Sequence, residues 1–308
     1  MAQLLKVHQV AKGYRRFPTS PVNQVLASID FNLRRGEVAG LYGANGSGKT
    51  TLTRLLVGLT SQDAGTITIL GESPARALKI GLIGYVPERE RLPGYMTPES
   101  MLRVRLRGSS QNEDAAWLTY LVTTLDLADL MNRPVRELSK GQRQRISILL
   151  ALAPLPPLVV MDEPTDGLDP ISRVRVRDII RKLSARNVGV LMNSHLVDET
   201  QAACESYAIL HGGLIKERGR SEALRNDVSS WQISFANLPE KNESDLESLG
   251  LSAPDDRGFL RAPASNLEEL NLLIKRSQDQ GLLVSALEPE RHPIEDKLAA
   301  LAAEGSQR

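Results

Sequence analysis

The stretch of this sequence that most constrains the fold is residues 43–50, which read GANGSGKT. Its glycines allow successive backbone N–H groups to turn inward around an anion, because glycine adopts conformations closed to residues with a Cβ. Lys49 adds a positive charge within reach of the β- and γ-phosphates of a nucleotide, and the Thr50 hydroxyl offers an oxygen ligand to magnesium. The pattern therefore predicts a phosphate-binding loop.

The residues on either side of this loop agree with that prediction. A phosphate loop of this kind leaves a strand and opens a helix. Residues 37–42 read as a short buried strand, and residues 51–58 place three leucines at helical spacing. The start of the helix then directs its free N–H groups and its positive dipole end at the phosphates. This context favours a nucleotide site over a fortuitous glycine-rich turn.

Composition and length describe an ordinary globular chain. The 308 residues predict about two domains, and 24% charged with 41% hydrophobic residues is typical of soluble proteins. A net charge of +1 gives no electrostatic reason to propose nucleic acid as a partner. Residues 1–10 lack the apolar core of a signal peptide, and prolines interrupt the longest apolar stretch, residues 146–161. We therefore expect a cytoplasmic chain whose membrane role requires a partner.

Strands alternate with helices through the first two thirds of the chain. This alternation predicts a mainly parallel sheet, and ligands of such sheets bind at the carboxyl ends of the strands. The predicted strands are residues 4–10, 25–33, 37–42, 65–70, 80–86, 158–161 and 189–192, and the predicted helices are residues 51–58, 138–153 and 172–184.

Two further blocks differ from this pattern. Residues 88–137 read as a helical insert, with a helix start at residues 97–100 (TPES) and a second helix face around Trp117 and Leu121. The arginines at positions 103, 105 and 107 within it are interpreted as a solvated face rather than a contact for a partner or an anionic lipid. Residues 221–308 read as a small α+β domain.

The predicted elements of that last block are three strands and three helices. The strands are residues 231–235, 258–261 and 282–287, and the helices are residues 240–249, 266–279 and about 293–302. The single cysteine, Cys204, excludes an intramolecular disulfide. We interpret Cys204 as a semi-buried helix residue rather than a reactive thiol.

Six motifs, in order, resemble those of the ATP-binding subunits of ABC transporters. Residues 43–50 are similar to the family's Walker A loop, residues 138–142 (LSKGQ) to its signature, and residues 158–163 to its Walker B strand, which ends in Asp162 and Glu163. Three single residues complete the resemblance: Tyr14 as the aromatic that stacks on adenine, Asp169 as the D-loop residue and His195 as the switch histidine. Taken singly, His195 is more often structural and Tyr14 a core aromatic, but the ordered set outweighs those readings.

The resemblance implies a fold and an assignment of residues. The fold is α/β, a P-loop NTPase in residues 1–220 with a RecA-like core, an antiparallel β subdomain and a helical subdomain at about residues 88–137, followed by the α+β domain of residues 221–308. The nucleotide-binding residues implied are Tyr14, Gly43, Asn45, Gly46, Gly48, Lys49, Thr50 and Thr51.

The catalytic and metal-binding roles follow from the same resemblance. ATP is the implied nucleotide and Mg²⁺ its metal, held by Thr50 and Asp162. Glu88 stands where many members have glutamine and reaches magnesium through water. Glu163 is the candidate general base, worth about 10²–10⁴-fold in rate, and Lys49 and His195 contact the γ-phosphate. Ser139, Gly141 and Gln142 serve the nucleotide of a second ATPase subunit, in a head-to-tail dimer.

The implied function is ATP hydrolysis that drives a separate membrane permease. Glu88, the short helical insert and residues 293–298 (PIEDKL) are similar to the ABC-2 branch, which consists chiefly of exporters. The expected location is the cytoplasmic face of the inner membrane, with membrane contact only through the permease. The alternatives are an importer ATPase, a soluble mechanical or DNA-repair ATPase, whose long coiled-coil or zinc inserts are absent from this sequence, and a non-hydrolysing regulatory module, which Glu163 and His195 argue against.

Overall fold

The computed structural model of this protein divides the chain into two compact units, Met1–Gly219 and Arg220–Arg308. It describes residues 3–107 except 16 and 18, residues 114–193 and residues 203–221. Further along the chain it describes residues 231–236, 246, 249–251, 254, 258–262, 264, 267–289, 294, 297–298 and 301.

A six-stranded sheet forms the centre of the first unit. Its strands, from one edge to the other, are β5 (Ile83–Val86), β6 (Leu158–Asp162), β7 (Gly189–Asn193), β3 (Val38–Tyr42), β8 (Ser206–His211) and β9 (Leu214–Arg220). The neighbouring pairs from β5 to β8 are parallel. Every residue of β3, β6 and β7 is buried, as expected of parallel strands covered on both faces. The predicted parallel sheet is confirmed, whereas β8 and β9 were not predicted.

A second, antiparallel sheet of three strands packs on the core of the same unit. Its order is β2 (Asn23–Arg34), β1 (Gln3–Tyr14) and β4 (Ala64–Ile69). Buried and exposed residues alternate along β2, which indicates that one face of the sheet is covered and the other is solvated. Strand β1 extends beyond the predicted end at residue 10, because Gly13 and Tyr14 still pair with β2.

Six helices surround these sheets in the described part of the first unit. They are α1 (Lys49–Leu56), α2 (Pro74–Lys79), α3 (Pro98–Arg107), α4 (Ala115–Thr124), α5 (Lys140–Leu152) and α6 (Pro170–Ala185), with 3₁₀ turns at Ala128–Leu130 and Val135–Glu137. Helix α2 was not predicted, and it occupies the chain just before β5, so that strand begins three residues later than expected. Among the described residues, no helix combines the length and apolar character needed to cross a bilayer.

The helical insert is fixed to the core by buried and charged contacts of α4. Asp114 caps α4 by accepting a hydrogen bond from the backbone N–H of Trp117 at 2.9 Å, and Asp114 also pairs at 2.6 Å with Arg186, which directly follows α6. The Trp117 side chain is only 1% exposed, and its Nε1 donates to the Leu152 carbonyl of α5 at 2.9 Å. Helix α4 therefore lies against both α5 and α6.

The arginine run of α3 is only partly the solvated face that the sequence predicted. Arg103 pairs with Glu99 one turn away on the exposed side, and Arg107 is exposed. Arg105 instead donates hydrogen bonds to the carbonyl oxygens of Leu150 at 3.3 Å and Ile83 at 3.2 Å. Residues two apart lie on opposite sides of a helix, since each residue turns it by about 100°. The middle arginine therefore faces the core.

A proline explains why the Leu150 carbonyl needs a side-chain donor. Within a helix, this oxygen would accept a hydrogen bond from the N–H four residues later. That residue is Pro154, which has no N–H. Arg105 therefore satisfies a carbonyl that the end of α5 leaves without a backbone donor.

The interpretation of Cys204 as a semi-buried helix residue is wrong. Cys204 lies outside any helix, just before β8, and its side chain is 6% exposed within the main core cluster. Burial raises the pKa of the thiol to about 12, so the nucleophilic thiolate form is disfavoured. The preference for a structural over a reactive role agrees with this environment.

The second unit contains a small antiparallel sheet and a helix. Its strands are β10 (Trp231–Phe235), β11 (Leu260–Ala262) and β12 (Val284–Pro289), in the order β11-β10-β12, and its helix is α7 (Leu267–Asp279). Ile233, Leu260 and Leu273 belong to its own hydrophobic core. These elements start within two residues of the predicted positions. The helices predicted at residues 240–249 and 293–302 lie mostly outside the described residues.

We expect Arg105→Ala to lower the free energy of unfolding by about 1–3 kcal/mol, because it leaves two partly buried carbonyls without their side-chain donor. Arg107→Ala, on the exposed side of the same helix, is the matched control and should change stability by no more than about 0.5 kcal/mol. Urea unfolding of both variants measures the difference. Equal stability of the two variants would show that the Arg105 hydrogen bonds do not support the fold.

Candidate nucleotide-binding site

A cleft of about 700 Å³ lies where the carboxyl ends of β3 and β6 meet the start of α1. Ten of the residues assigned from the sequence line it together: Tyr14, Asn45, Gly46, Gly48, Lys49, Thr50, Thr51, Glu88, Asp162 and Glu163. Val25, Ser47 and Asp166 complete the lining, although the sequence analysis gave them no role. Parallel strands bring these distant segments to one edge of the sheet.

The backbone of the phosphate loop depends on two glycines with positive φ. Gly46 has φ 81° and Gly48, the N-cap of α1, has φ 108°. A Cβ at Gly48 would lie 2.7 Å from Leu26 Cδ2, whereas a Cβ at Gly46 would meet no described atom within 4 Å. Both positions therefore favour glycine by their backbone conformation, and Gly48 is in addition closely packed, whereas Gly46 has open space around it at the cleft.

Gly43 does not line the cleft, although it was assigned to the nucleotide. A Cβ at Gly43 would collide with the backbone oxygen of Leu210 in β8 and would lie 2.6 Å from Ser47 Oγ. Its small size thus allows the loop to pack against the sheet. The Ser47 hydroxyl is buried and has no hydrogen-bond partner among the described residues. Buried hydroxyl groups normally have a hydrogen-bond partner, so the unpaired hydroxyl in this loop is explained if it donates to a bound ligand.

Lys49 holds its ammonium group over the loop. Its Nζ donates to the carbonyl oxygens of Gly43 at 2.5 Å and Ala44 at 3.3 Å. Burial lowers the pKa of Lys49, and the negative charges of Glu163 and Asp162 partly oppose that shift. The side chain is therefore a partly desolvated cation. It faces the carboxyl groups of Asp162, at the end of β6, and of Glu163, which follows it.

The acidic side of the cleft is centred on Asp162, the last residue of β6, which is 4% exposed. Burial raises the pKa of this carboxyl group, and the carboxylates of Glu88 and Glu163 raise it further. A hydrogen bond from Asn193 and the charge of Lys49 act in the opposite direction. The cleft thus concentrates negative charge in a partly desolvated place, where a divalent cation would relieve the repulsion.

Glu163 follows Asp162 in an unusual backbone conformation. Its φ is 49°, a region that non-glycine residues adopt infrequently and that often marks functional sites. The Glu163 N–H donates to the backbone oxygen of Asn193 at 3.0 Å, which fixes this turn to the end of β7. The conformation turns the chain sharply at the edge of the cleft.

The oxygen donors fit magnesium as a metal that is held together with a nucleotide. Among the described residues, no group of three or more His, Cys, Asp or Glu side chains is arranged to bind a metal by itself. Thr50 and Asp162 both line the cleft. Magnesium typically binds one or two protein oxygens and takes its other ligands from phosphates and water, so this pair suffices only when phosphates are present.

The signature residues begin α5 and do not line the cleft. Ser139 Oγ accepts a hydrogen bond from the Gln142 N–H at 3.2 Å, and Gln142 Oε1 accepts one from the Ser139 N–H at 2.9 Å. This reciprocal pair is a capping box. Gly141 follows Lys140, whose Nζ pairs with Asp166 at 2.8 Å. The signature segment is therefore tied to the rim of the cleft without entering it.

The remaining predicted residues have separate positions. Asp169 caps α6 by accepting hydrogen bonds from the backbone N–H of Ser172 at 2.9 Å and from its hydroxyl at 2.6 Å, and these bonds lower the pKa of Asp169. The Tyr14 side chain is 41% exposed at the cleft, with Lys12 Nζ 5.5 Å from its ring centroid. His195 lies outside the described residues.

Asn193 is the functional candidate that the sequence analysis missed most clearly. It is fully buried at the end of β7 and donates a hydrogen bond to the Asp162 carboxylate. The available signal was a polar residue that closes an otherwise apolar strand, next in the sheet to the strand that ends in Asp162. Asp166 gave no comparable signal, because it lies in a turn.

A parallel sheet with a glycine-rich phosphate loop and an acidic strand end at one edge defines a P-loop nucleotide-binding protein. Residues 26–166 match the family described as ABC transporter. The ABC transporter ATP-binding protein NatA of Bacillus subtilis is 33% identical over 229 residues, which cover 72% of this chain and 92% of that protein. This chain belongs to the ATP-binding proteins of the ABC transporter family.

Other relatives and a solved structure agree with this family. The Nod factor export ATP-binding protein I of Rhizobium etli is 34% identical over 68% of this chain, and the daunorubicin resistance ATP-binding protein DrrA3 of Streptomyces coeruleorubidus is 30% identical over 84%. The matches cover 67% and 85% of those two proteins, and 63% and 64% of two other Nod factor export proteins. A solved ATP-binding subunit of an ABC transporter is similar with a TM-score of 0.66 and 29% identity, over 72% of this chain and 92% of that one.

We expect Asp162→Asn to raise the melting temperature of the nucleotide-free, magnesium-free protein at neutral pH. The folded-state pKa of Asp162 is raised above its ordinary value of 3.8, so the ionised carboxylate costs stability at neutral pH. That cost disappears as the pH falls and the group becomes protonated in both states. The gain of the variant should therefore shrink as the pH is lowered toward the ordinary value.

Thermal unfolding in EDTA at a series of pH values measures this effect. Asp129→Asn, which removes an exposed carboxylate outside the cleft, is the control for the loss of one negative charge. A lower melting temperature for Asp162→Asn than for the wild type at neutral pH would contradict the electrostatic account.

Proposed function

We propose that this chain is the ATP-hydrolysing subunit of an ABC exporter and that it drives substrate movement through a separate membrane permease. The observation that carries the proposal is the single cleft that gathers Lys49, Thr50, Asp162 and Glu163. Transfer of a phosphoryl group to water needs positioning and charge stabilisation more than covalent chemistry, and these four residues supply both. The export direction is supported by the relatives named for Nod factor export and daunorubicin resistance.

The phosphate loop binds and orients the triphosphate. Lys49 exchanges its contacts with the loop carbonyls for the β- and γ-phosphates, and the backbone N–H groups at the start of α1 point at the same oxygens. Ser47 offers its unpaired hydroxyl to the same cradle. Tyr14, exposed at the cleft, provides an aromatic face for the adenine.

Thr50 and Asp162 would hold magnesium, and Glu88, in the same cleft, would reach it through water. Magnesium, when bound, neutralises the charge that develops on the phosphate oxygens. Glu163 is next to the metal ligand and also lines the cleft, so its carboxylate accepts the proton of the attacking water. His195 is assigned to the γ-phosphate by its resemblance to the switch histidine.

Two chains are proposed to act together, head to tail. Ser139, Gly141 and Gln142 begin α5 outside their own cleft, so they are available to the nucleotide of a second copy. Asp169 is the N-cap of α6 and resembles the D-loop residue of the family. We place it at the same contact between the two chains. The dimer binds the cytoplasmic side of a permease in the inner membrane, and it touches the membrane only through that partner.

We expect Glu163→Gln to retain ATP binding but to lower the hydrolysis rate by about 10²–10⁴-fold, because the amide cannot accept the proton of the attacking water. The trapped ATP should also stabilise the dimer. Nucleotide binding, phosphate release and size-exclusion chromatography with ATP measure the three effects. Asp166→Asn, which also replaces an acid by its amide three residues away in the same cleft, is the matched control with a much smaller expected loss. Wild-type turnover in Glu163→Gln would remove Glu163 as the base.

We expect Ser139→Arg to leave nucleotide binding intact and to abolish both ATP-dependent dimerisation and hydrolysis, because a large side chain would occupy the place of the partner's phosphates. The substitution also removes the N-cap of α5, which costs about 1 kcal/mol. Ser139→Ala removes the same cap without added bulk, so it should be equally destabilised but more active. Unchanged hydrolysis in Ser139→Arg would contradict the head-to-tail dimer.

A further inference from the structure

Asn193 occupies the central position at the edge of the sheet that carries the cleft. It is the last residue of β7, and the strand register pairs it with Leu41 of β3 on one side and with Asp162 of β6 on the other. Its side chain is 0% exposed. The strand that leads into the phosphate loop and the strand that ends in the acidic pair therefore flank this one residue.

The amide of Asn193 connects the loop helix to the acidic strand end. Its Nδ2 donates to Thr53 Oγ1 of α1 at 2.5 Å and to Asp162 Oδ1 at 3.2 Å. An ionised carboxylate only accepts hydrogen bonds, so the amide nitrogen, not the oxygen, must face Asp162. This requirement fixes the orientation of the Asn193 side chain.

The backbone of Asn193 holds the residue after Asp162. Its carbonyl oxygen accepts the hydrogen bond from the Glu163 N–H at 3.0 Å, at the position where Glu163 has a φ of 49°. One residue thus contacts both members of the acidic pair, through its side chain and its main chain respectively.

Packing alone does not favour an amide in this place. Asn193 Oδ1 is buried and has no hydrogen-bond partner among the described residues. A buried polar atom without a partner costs free energy, and an apolar side chain of the same shape would avoid that cost. The advantage of asparagine over such a residue lies in the two N–H groups that reach Asp162 and Thr53.

We propose that Asn193 is a positioning residue for magnesium-dependent ATP hydrolysis, and that its amide holds the Asp162 carboxylate in the orientation that binds the metal. This inference rests on the proposed function. Asn193 acts through Asp162, so its loss affects the use of magnesium and leaves the contacts of the phosphate loop with the nucleotide in place. Groups that orient a metal ligand in this way are typically worth about 10–100-fold in metal affinity.

The test is a magnesium titration of nucleotide binding by the full chain, followed with a fluorescent ATP analogue, together with a magnesium titration of hydrolysis. For Asn193→Leu we expect unchanged analogue binding in EDTA. The magnesium concentration that gives half-maximal analogue binding, and that which gives half-maximal hydrolysis, should each rise about tenfold. Thr53→Val is the matched control, because it removes the other hydrogen bond of the same amide and leaves the bond to Asp162. Its half-maximal magnesium concentration should equal that of the wild type.

A double variant separates positioning from a general loss of structure. In the Asp162→Asn background, Asn193→Leu should cause no further change in magnesium dependence, because the residue through which it acts is already altered. An additive loss would overturn the proposal. If Asn193→Leu does not fold, Asn193→Ser, which is too short to reach Asp162, is measured in the same way.

The outcomes also distinguish this inference from the proposed function. A wild-type protein without magnesium-stimulated ATP hydrolysis would overturn both. A wild-type protein that hydrolyses ATP, with the same magnesium dependence in Asn193→Leu, would overturn only the role of Asn193. An equal shift in Thr53→Val would also overturn it, because the effect would then follow the amide's packing rather than its bond to Asp162.

Discussion

The arrangement of this protein depends on keeping two opposite charges, Lys49 and Asp162, partly out of water at one edge of a sheet. Burial lowers the pKa of the first and raises that of the second, so each charge is held at a cost that the other reduces. The apolar strands β3 and β6 supply the rigid support for this pair. In the proposed function, a triphosphate and its magnesium would bring the charges complementary to this pair.

Much of this arrangement could be predicted from the sequence because its signals are local. The glycines of the phosphate loop and the uninterrupted apolar runs of β3, β6 and β7 identify themselves within a few residues. Parallel strands then bring their carboxyl ends together, so ten of the assigned residues meet in one cleft without any further information. The order of the motifs added the family, which the relatives confirm.

The rest could not be predicted because it depends on contacts between distant parts of the chain. Asn193 and Thr53 are 140 positions apart, and Arg105 and Leu150 are 45 positions apart. An arginine in an alternating run of arginines has no local feature that reveals burial, and nothing in the segment AACES shows that Cys204 lies outside a helix, so Arg105 and Cys204 were both assigned incorrectly. Strands β8 and β9 were missed for a related reason, since the place of β8 in the sheet depends on pairing with β3, and that of β9 on lying next to β8.

The two hydrogen bonds of Arg105 have a mechanical consequence. They join α3 both to β5 and to the end of α5. A displacement of α3 away from the core must therefore break both hydrogen bonds and leave two carbonyl oxygens without their side-chain donor. The two bonds therefore oppose the separation of α3 from β5. Strand β5 ends at Val86, two residues before Glu88 at the cleft, so a displacement of α3 that kept both bonds would also displace the segment that leads into the cleft.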